Sequence, residues 1–287
     1  MAKTKPTTQL QCLQVWGGSQ AADQSLAMTG LNGYLYAKPF EGAERGGDVY
    51  YISSCASGSI TRALIADVAG HGVGVATVAD ELRSLMQKYV NYTNQKRFMA
   101  AMNQRFTQIT DEGLFATTIA LSFFAPTRKL SLSNAGHPAP MLYRAKTKQW
   151  SVLGVDPTDR SNRTTADLPL GVSQEAGYQQ IDITMEPGDM LLLYTDALIE
   201  SLGRDGKQIG VRGLADRLNA MPHRTPQQLV LDLIQQLEAD DENDLTGDDV
   251  TAMLIAATGS KGEWRKVLAS PFNAVRGMLR GSPVGVG

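Results

Sequence analysis

The sequence contains few of the residues on which several common kinds of protein depend. Among its 287 residues there are only two cysteines, Cys12 and Cys55, and three histidines, His71, His137 and His223. Because the cysteines are far apart and form no CxxC pair, neither a disulfide scaffold nor a structural zinc site is expected, and a reducing cytosol fits. No G-x-S-x-G elbow occurs, and nothing else nominates a serine or cysteine nucleophile. Metal-activated water is then the best available nucleophile.

The sequence also lacks long apolar runs and a strong net charge. No run approaches the roughly 18–20 apolar residues of a membrane span, and the start, MAKTKPTTQLQ, has no apolar segment of the secretory kind. With 27 basic and 29 acidic residues the net charge is −2, which argues against a nucleic-acid-binding domain. We therefore expect a cytoplasmic protein that binds no nucleic acid, and 43% hydrophobic residues suffice for a sizeable core.

Charge is unevenly distributed towards the end of the chain. Residues 259–287, here called the tail, carry five basic residues and one acid, whereas 238–249 carry seven acids and no base. Apolar residues in the tail recur at steps of three and four, which predicts a basic amphipathic helix that Pro271 should kink or split. Three uses of the tail are open: packing on the body of the protein, binding a partner, or docking on a membrane surface.

Apolar periodicity predicts many strands, interrupted by two pairs of helices. The predicted strands lie at 10–14, 34–38, 49–54, 61–67, 115–124, 130–133, 140–144, 150–153, 190–195 and 248–257, and the predicted helices at 74–90, 95–110, 211–220 and 226–237. We expect 34–38 to pair with 49–54, and 154–180 to be loop with short strands. This order is not the alternation of a doubly wound parallel sheet. It predicts an antiparallel α+β fold, a β-sandwich flanked by helix pairs.

Four aspartates lie at the end of a predicted strand or in a glycine-rich turn beside one: Asp48, Asp67, Asp196 and Asp248. A carboxylate at the end of an apolar strand is costly unless something compensates its charge, and four together would repel one another. A shared hard cation such as Mg²⁺ or Mn²⁺, which prefers oxygen ligands, would compensate them. The residues alone leave open the alternative that each aspartate forms a turn or caps a helix.

The glycines after Asp67 permit another interpretation. The turn Gly70-His-Gly-Val-Gly74 follows a predicted strand and opens a helix, as a nucleotide-binding turn does. The next element, however, is a second helix rather than a strand with a ribose-binding acid, and Asp67 would repel a bound pyrophosphate. Dinucleotide binding is therefore disfavoured.

Six segments, in order, resemble the motifs of metal-dependent protein phosphatases, the PPM superfamily. They are GGDVYY, ALIADVAGHGVGVA, FATTIALSFF, LSLSNAGHPAPMLY, GDMLLLYTDALIES and GDDVTAMLIAA. The resemblance covers roughly residues 30–258 and is greatest to the bacterial branch named after stage II sporulation protein E, which includes the RsbU-type stress regulators. It implies an αββα sandwich of two mainly antiparallel sheets flanked by helix pairs. We expect a phosphatase domain over 1–258, with 1–9 mobile, followed by the tail.

The resemblance also implies cofactors and a site. Two Mn²⁺ or Mg²⁺ ions would lie at one end of the sheets, with Asp67 bridging them and the backbone carbonyl of Val68 as a further ligand. Asp196 and Asp248 would hold one ion, and Asp48 would lie by the second, through water. A bridging water or hydroxide would attack the phosphorus of a phosphoserine or phosphothreonine, and no phosphoenzyme would form.

The chain departs from the family's pattern at several positions. Ala197 replaces the glycine of the usual TDG, and it would be strained if the backbone there were left-handed. His71 lies four residues after Asp67 rather than two, so roles as general acid and as a loop-structuring residue are both open. His137 stands where related proteins carry a third-metal aspartate, so no third site is expected. Arg45, beside GGD, is the candidate for binding phosphate, unless it is simply solvated.

Related phosphatases commonly act on an anti-sigma-factor antagonist of the STAS type within a partner-switching circuit. The resemblance therefore implies a phosphorylated STAS-domain protein as partner and a role in sigma-factor regulation. About 30 residues precede the region of resemblance, so no upstream PAS, GAF or receiver domain is expected. The expected function is a Mn²⁺- or Mg²⁺-dependent serine/threonine phosphatase, and the alternative is a pseudophosphatase that binds a phosphoprotein without hydrolysing it.

Overall fold

The computed structural model describes residues 8–9, 15–55, 58–69, 73–89, 94–110, 114–154, 168–222, 225–240, 245 and 247–260. In these ranges the strands are β1 (Thr8–Gln9), β2 (Val15–Gly18), β3 (Ala22–Met28), β4 (Leu31–Lys38), β5 (Asp48–Cys55), β6 (Ile60–Val68), β7 (Ala116–Phe124), β8 (Lys129–Ala135), β9 (Met141–Arg144), β10 (Gln149–Val152), β11 (Ile181–Thr184), β12 (Met190–Tyr194) and β13 (Val250–Ala257). The helices are α1 (Val73–Tyr89), α2 (Gln95–Ile109), α3 (Ala197–Glu200), α4 (Gly210–Ala220) and α5 (Pro226–Asp240), and a 3-10 turn spans Phe40–Gly42.

The strands form two sheets. The first sheet has the order β1-β3-β4-β13-β12-β9-β10, and the second has the order β11-β8-β7-β6-β5-β2. Neighbouring strands are antiparallel except for the short pair β1 and β3, which is parallel. The predicted α+β fold with two mainly antiparallel sheets is therefore confirmed, and the strands predicted at 140–144 and 150–153 form the hairpin of β9 and β10.

Three clusters of buried apolar side chains divide the structure into four layers. The first cluster lies between the sheets and takes side chains from both, for example Ile52 and Ile65 from the second sheet and Leu193 and Ile255 from the first. The second cluster joins the first sheet to α4 and α5, and the third joins the second sheet to α1 and α2. The layers follow the order helices, sheet, sheet, helices, which is the expected αββα sandwich.

Strand β12 shows how one run of sequence supplies two of these clusters. Leu191 and Leu193 contribute to the cluster between the sheets, whereas Leu192 and Tyr194 contribute to the cluster under α4 and α5. Successive side chains of a strand point to opposite faces, so a strand that is covered on both faces needs an uninterrupted apolar run. The run MLLLY meets that requirement, and all five of its residues are buried.

The two helices predicted after the glycine turn are confirmed to within one residue at each end, as α1 and α2. Their buried side chains recur every three or four residues and pack against the second sheet, with Leu82 and Met99 fully buried. Asn94 caps α2, because its side-chain oxygen accepts a hydrogen bond of 3.0 Å from a first-turn backbone N–H.

The predicted pairing of 34–38 with 49–54 is wrong. Both strands exist, as β4 and β5, but they lie in different sheets. Strand β4 pairs with β3 and β13, and β5 pairs with β2 and β6. The polar segment between them crosses from one sheet to the other and is not a hairpin turn. Because both strands are largely buried on both faces, their residue patterns do not indicate which neighbour each one takes.

Strands β1, β2, β3 and β11 have no counterpart in the sequence prediction. Strands β2 and β11 are the two edges of the second sheet, and in β3 only Leu26 is fully buried. Strands with one exposed edge or face carry a weak apolar pattern. Between 154 and 180, where short strands were expected, the described residues form no strand and only an isolated bridge, Leu170 with Ala116.

Several predictions fall outside the part of the chain that the structure describes. They concern residues 1–7 of the start that was expected to be mobile, the strand at 10–14, His71 and nearly all of the tail. Where the structure does describe helices, none combines the length and the apolar character that crossing a membrane requires.

Candidate metal centre

The four candidate aspartates lie at strand ends in two different sheets. Asp48 is the first residue of β5 and Asp67 is the penultimate residue of β6, and the antiparallel register places them directly opposite each other. In the other sheet, Asp196 follows β12 and Asp248 precedes β13, two strands that are themselves antiparallel neighbours. Each pair therefore lies at the strand ends on one side of its own sheet.

Hydrogen bonds between the sheets show that these two sets of strand ends meet at the same end of the sandwich. The Thr195 hydroxyl donates to an Asp48 carboxylate oxygen at 2.9 Å. The Thr251 backbone N–H donates to the Thr195 hydroxyl oxygen, also at 2.9 Å, which ties β13 into the same network. The Asp48 backbone N–H in turn donates to the carboxylate of Asp249 at 3.2 Å. The fold therefore gathers all four aspartates at one end of the molecule.

Burial and the repulsion of neighbouring acids raise the pKa values of Asp48, Asp67 and Asp196. Burial first, and then the negative charges of Asp196 and Asp248, raise the pKa of Asp67 to about 7. The pKa of Asp48 lies well above its usual range, mainly because of burial and then because of Asp67. Burial and the Glu200 carboxylate raise the pKa of Asp196. The site therefore holds negative charge that water does not stabilise fully.

In the described part of the chain, no lysine or arginine forms an ion pair with Asp48, Asp67 or Asp196. Asp48 is buried, and Asp67 and Asp196 are half-buried. Carboxylate oxygens gathered in this way are the donors that a hard divalent cation prefers. Among the described residues, however, no three histidine, cysteine, aspartate or glutamate side chains lie close enough together to form a ready-made metal cluster. The donor chemistry fits a cation, while the side chains do not form a closed cage.

Glycine permits a close approach beside the candidate carbonyl ligand. Val68 is the last residue of β6, and its backbone N–H donates to the Gly47 carbonyl at 3.4 Å. A Cβ added at Gly47 would lie only 3.1 Å from the Val68 carbonyl oxygen. A larger residue at position 47 would therefore press on the end of β6, immediately after Asp67.

Arg45 is engaged by the protein itself. Its guanidinium donates two hydrogen bonds to the Asp80 carboxylate on α1, one of them at 2.6 Å, and a third to the Ser19 hydroxyl at 3.2 Å. The ion pair with Asp80 raises the pKa of Arg45. In the structure Arg45 therefore fastens the segment before Asp48 to helix α1.

His137 lies close to the site without being one of its acids. The ring nitrogen Nδ1 is 2.9 Å from the Thr117 hydroxyl oxygen, and Thr117 pairs with Asp67 across β6 and β7. The side chain is buried, and burial lowers its pKa to about 3. The imidazole is therefore neutral at ordinary pH. The sequence motif NAGHPAP marks this residue but does not reveal its position one strand away from Asp67.

The replacement of glycine by alanine at position 197 introduces no backbone strain. Ala197 is the first residue of helix α3, and the backbone there does not have the positive φ that favours glycine. The departure from TDG is therefore harmless to the local conformation.

Sequence reasoning overlooked three further residues at this end of the sandwich, namely Thr195, Asp249 and Glu200. Thr195 and Asp249 are each adjacent to a candidate ligand, in the motifs TDA and GDD, and this adjacency could have indicated them. Glu200 lies four residues after Asp196, on the short helix α3, and its charge raises the pKa of both Asp67 and Asp196. The spacing of four within a helix is the signal that indicates Glu200.

A broad cleft opens beside these residues. Its volume is about 740 Å³, and residues 40–43, 45–47 and 247–249 line it. The lining includes the candidate ligand Asp248 and the segment that leads into Asp48. The cleft therefore gives access to the acid-rich end of the sandwich.

The αββα sandwich is the fold of the PP2C-type phosphatases, since solved structures of that class match it. The model of the family described as Stage II sporulation protein E (SpoIIE) matches residues 57–258, which is more than half of the chain. The chain therefore belongs to the SpoIIE family. The family and the fold predicted from the six motifs are confirmed.

Three individual comparisons support this assignment. Phosphoserine phosphatase RsbU of Bacillus subtilis is 24% identical over 143 residues, which are 50% of this chain and 40% of RsbU. The RsbU and RsbW domains of a Mycobacterium tuberculosis protein match with a TM-score of 0.65 and 24% identity, over 89% of this chain and 69% of that one. RsbX in complex with magnesium matches with a TM-score of 0.59 and 17% identity, over 83% of this chain and 100% of RsbX. At these identities the structural matches show the fold.

Proposed function

We propose that this protein is a divalent-metal-dependent phosphatase that hydrolyses phosphoserine and phosphothreonine in a protein. The observation that carries the proposal is the pair formed by the buried Asp48 and the half-buried Asp67, which face each other across β5 and β6 with no lysine or arginine paired to them in the described ranges. Asp196 and Asp248 add negative charge from the other sheet. Membership of the SpoIIE family and the PP2C-type fold support the same activity.

The proposed cofactor is a pair of Mn²⁺ or Mg²⁺ ions. Asp67 would bridge them, with the Val68 carbonyl as a further ligand. Asp196 and Asp248 would hold one ion, and Asp48 would lie by the second, through water. When bound, the ions would supply a water of lowered pKa as nucleophile and would neutralise phosphate oxygens. The magnesium in the RsbX complex, a protein of the same fold, supports a hard cation here.

The chain's own residues would orient and admit the reactants. The Thr195 hydroxyl fixes Asp48 at the start of β5, and the open cleft admits a phosphorylated segment of another protein. His71 as general acid stays a prediction, because it lies outside the described residues. Arg45 as a phosphate-binding residue would have to release Asp80, since that carboxylate holds its guanidinium.

The proposal is tested by hydrolysis of p-nitrophenyl phosphate with and without Mn²⁺. We expect Asp67→Asn to lower Mn²⁺-dependent turnover by about 100-fold or more, the size of effect that removal of one central electrostatic group produces. Asp205→Asn, an exposed aspartate in a turn, is the matched control and should keep full activity. Equal rates in Asp67→Asn and the unmodified protein would contradict the assigned centre, and so would turnover that EDTA leaves unchanged.

We further propose a phosphorylated STAS-domain anti-sigma-factor antagonist as substrate. The similarity to phosphoserine phosphatase RsbU and to a protein that joins RsbU and RsbW domains supports a partner-switching pathway. The test compares the dephosphorylation rate of a phosphorylated STAS-domain protein with that of an unrelated phosphopeptide. Equal kcat/KM values for the two substrates would contradict this substrate class while leaving the phosphatase activity in place.

A second candidate function is a pseudophosphatase that binds a phosphoprotein without hydrolysing it. The observation that favours it is that the described carboxylates form no closed metal cluster. Retention of all four aspartates favours the enzyme. A protein that retains a phosphoprotein in a pull-down, yet shows no Mn²⁺-dependent turnover of it, would be the pseudophosphatase.

The proposed location is the cytoplasm. The scarcity of cysteine is consistent with a reducing compartment. The proposed domain division places the phosphatase unit at 1–258 and the tail at 259–287.

A further inference from the structure

One carboxylate next to the proposed metal centre accepts hydrogen bonds from three backbone N–H groups of the protein. Asp249 is buried, with 7% of its surface exposed. One of its carboxylate oxygens accepts a hydrogen bond of 2.6 Å from the Phe40 backbone N–H. The other accepts two, of 2.5 Å from Gly47 and 3.2 Å from Asp48. Asp249 therefore receives backbone donors from both ends of the segment 40–48, which is here called the cleft loop.

The cleft loop is shaped around this carboxylate. A Cβ added at Gly46 would collide with the Asp249 carboxyl group. The Gly46 backbone N–H donates to the Ser19 carbonyl at 2.8 Å, so the loop has little freedom to move aside. Glycine at position 46 is therefore a consequence of the position of Asp249, more than 200 residues further along the chain.

The two aspartates of the GDD motif have different surroundings. Both oxygens of Asp249 accept hydrogen bonds from backbone N–H groups of the cleft loop, so most of the acceptor capacity of this carboxylate is used within the protein. Asp248 instead lines the cleft, and one of its oxygens accepts the Asp249 backbone N–H at 2.7 Å. Asp249 thus contacts the structural loop on one side and the candidate metal ligand on the other.

We infer that Asp249 is a positioning residue for the phosphatase. Its carboxylate holds the cleft loop through the three hydrogen bonds from Phe40, Gly47 and Asp48, which are here called the clasp. The clasp fixes the position of Asp48 at the start of β5 and the position of one wall of the cleft. The consequence for catalysis rests on the proposed function, whereas the clasp itself rests only on the contacts above. Asparagine cannot replace Asp249, because a side-chain amide has only one acceptor oxygen. Its NH2 group would face a backbone N–H, and two donors cannot form a hydrogen bond with each other.

The chain contains a matched control for this residue. Asp189 is equally buried, at the start of β12, at the end of the strand remote from Asp196. Its carboxylate accepts backbone N–H groups of Ala145 and Glu186 at 2.9 and 3.0 Å, and an Arg144 guanidinium N–H at 2.8 Å. Asp189→Asn therefore removes the same kind of clasp away from the cleft.

Amide hydrogen exchange of the metal-free, full-length protein tests the clasp directly. Loss of one hydrogen bond to a charged group corresponds to a change of about ten-fold in an equilibrium constant. We expect Asp249→Asn to accelerate exchange in peptides that cover residues 40–48 by about ten-fold, and Asp189→Asn to leave those peptides unchanged. Unchanged exchange over 40–48 in Asp249→Asn would overturn the inference, whether or not the protein is a phosphatase.

Kinetics test whether the clasp matters for catalysis. We expect Asp249→Asn to lower kcat by about ten-fold and to raise the Mn²⁺ concentration for half-maximal activity, because Asp48 and Asp248 are both displaced. Asp189→Asn should lower the melting temperature with kcat unchanged. Equal losses of kcat in both variants would show a purely structural role and overturn the inference. An unmodified protein without activity would instead reject the proposed function, with the exchange result unaffected.

A second variant keeps the inference testable if Asp249→Asn does not fold. Gly46→Ala disturbs the same contact from the side of the loop, and it should reproduce the faster exchange over 40–48. Gly177→Ala is its control, because a Cβ there meets no atom within 4 Å. Equal exchange over 40–48 in the two alanine variants would also overturn the inference.

Discussion

Asp67 is the residue at which burial and charge conflict most directly. It lies opposite Asp48 and within the field of acids from the other sheet, and its pKa rises to about 7. A carboxylate in this position destabilises the folded protein whenever it is ionised and no cation is bound. The proposed metal centre would remove this cost, so metal binding and folding stability should be linked.

The pH dependence of stability follows from this pKa. The folded pKa of Asp67, about 7, exceeds its ordinary value of 3.8, so between these values the folded state binds a proton that the unfolded state has lost. Stability in the presence of EDTA should therefore fall as pH rises from about 4 to about 7. We expect Asp67→Asn to flatten this fall in urea titrations at pH 5 and 7.5. A fall of the same size in the variant would contradict the assignment.

His137 should show the opposite behaviour, that of a base kept neutral. Burial lowers its pKa from the ordinary 6.5 to about 3. In folded protein its ring resonances should stay constant in NMR spectra between pH 5 and 8, and in urea they should titrate near pH 6.5. Its contribution to stability is lost as pH falls below about 6.5, because only the unfolded state then takes up the proton. A folded-state titration midpoint near 6.5 would contradict the burial of this ring.

At the scale of elements, the helix pairs are held by the apolar faces that they place on the sheets. Leu82 of α1 is fully buried in the cluster above the second sheet, whereas Glu81 beside it is exposed. We expect Leu82→Ala to lower the free energy of unfolding by about 2–5 kcal/mol, because the removed side chain leaves a cavity. Glu81→Ala should change it by less than about 0.5 kcal/mol. Urea denaturation of both variants makes the comparison, and similar losses would show that α1 does not pack as described.

The elements also show where sequence patterns are informative. Helices α1 and α2 are predicted well, because an amphipathic face repeats along one continuous segment. Strand existence is predicted well for the central strands, such as β6 and β12. Strand partners are not, since β4 takes β13 as neighbour across more than 200 residues of chain. A strand buried on both faces fits many neighbours equally, so only the assembled sheet distinguishes them.

At the scale of the whole molecule, the predicted uses of the tail lead to different results with lipid vesicles. Packing on the body or binding a partner is the favoured use. We therefore expect the full-length protein not to sediment with anionic lipid vesicles, and the protein without residues 260–287 to behave alike. Sedimentation of the full-length protein alone would establish membrane docking through the basic residues of the tail. Thermal unfolding of both forms then tests packing on the body, which predicts a lower melting temperature after the deletion.

Most strands and helices of this protein, and its four candidate acids, could be predicted from the amino-acid sequence. Alternation and helical periodicity depend on neighbours in the chain, and the six motifs place Asp48, Asp67, Asp196 and Asp248 at strand ends. The three-dimensional fold was needed to show that β4 and β5 belong to different sheets, that Asp80 binds Arg45, and that Asp249 binds the cleft loop. These are contacts between residues distant in sequence, and the protonation of a buried carboxylate depends on them, because charge and burial act through space rather than along the chain.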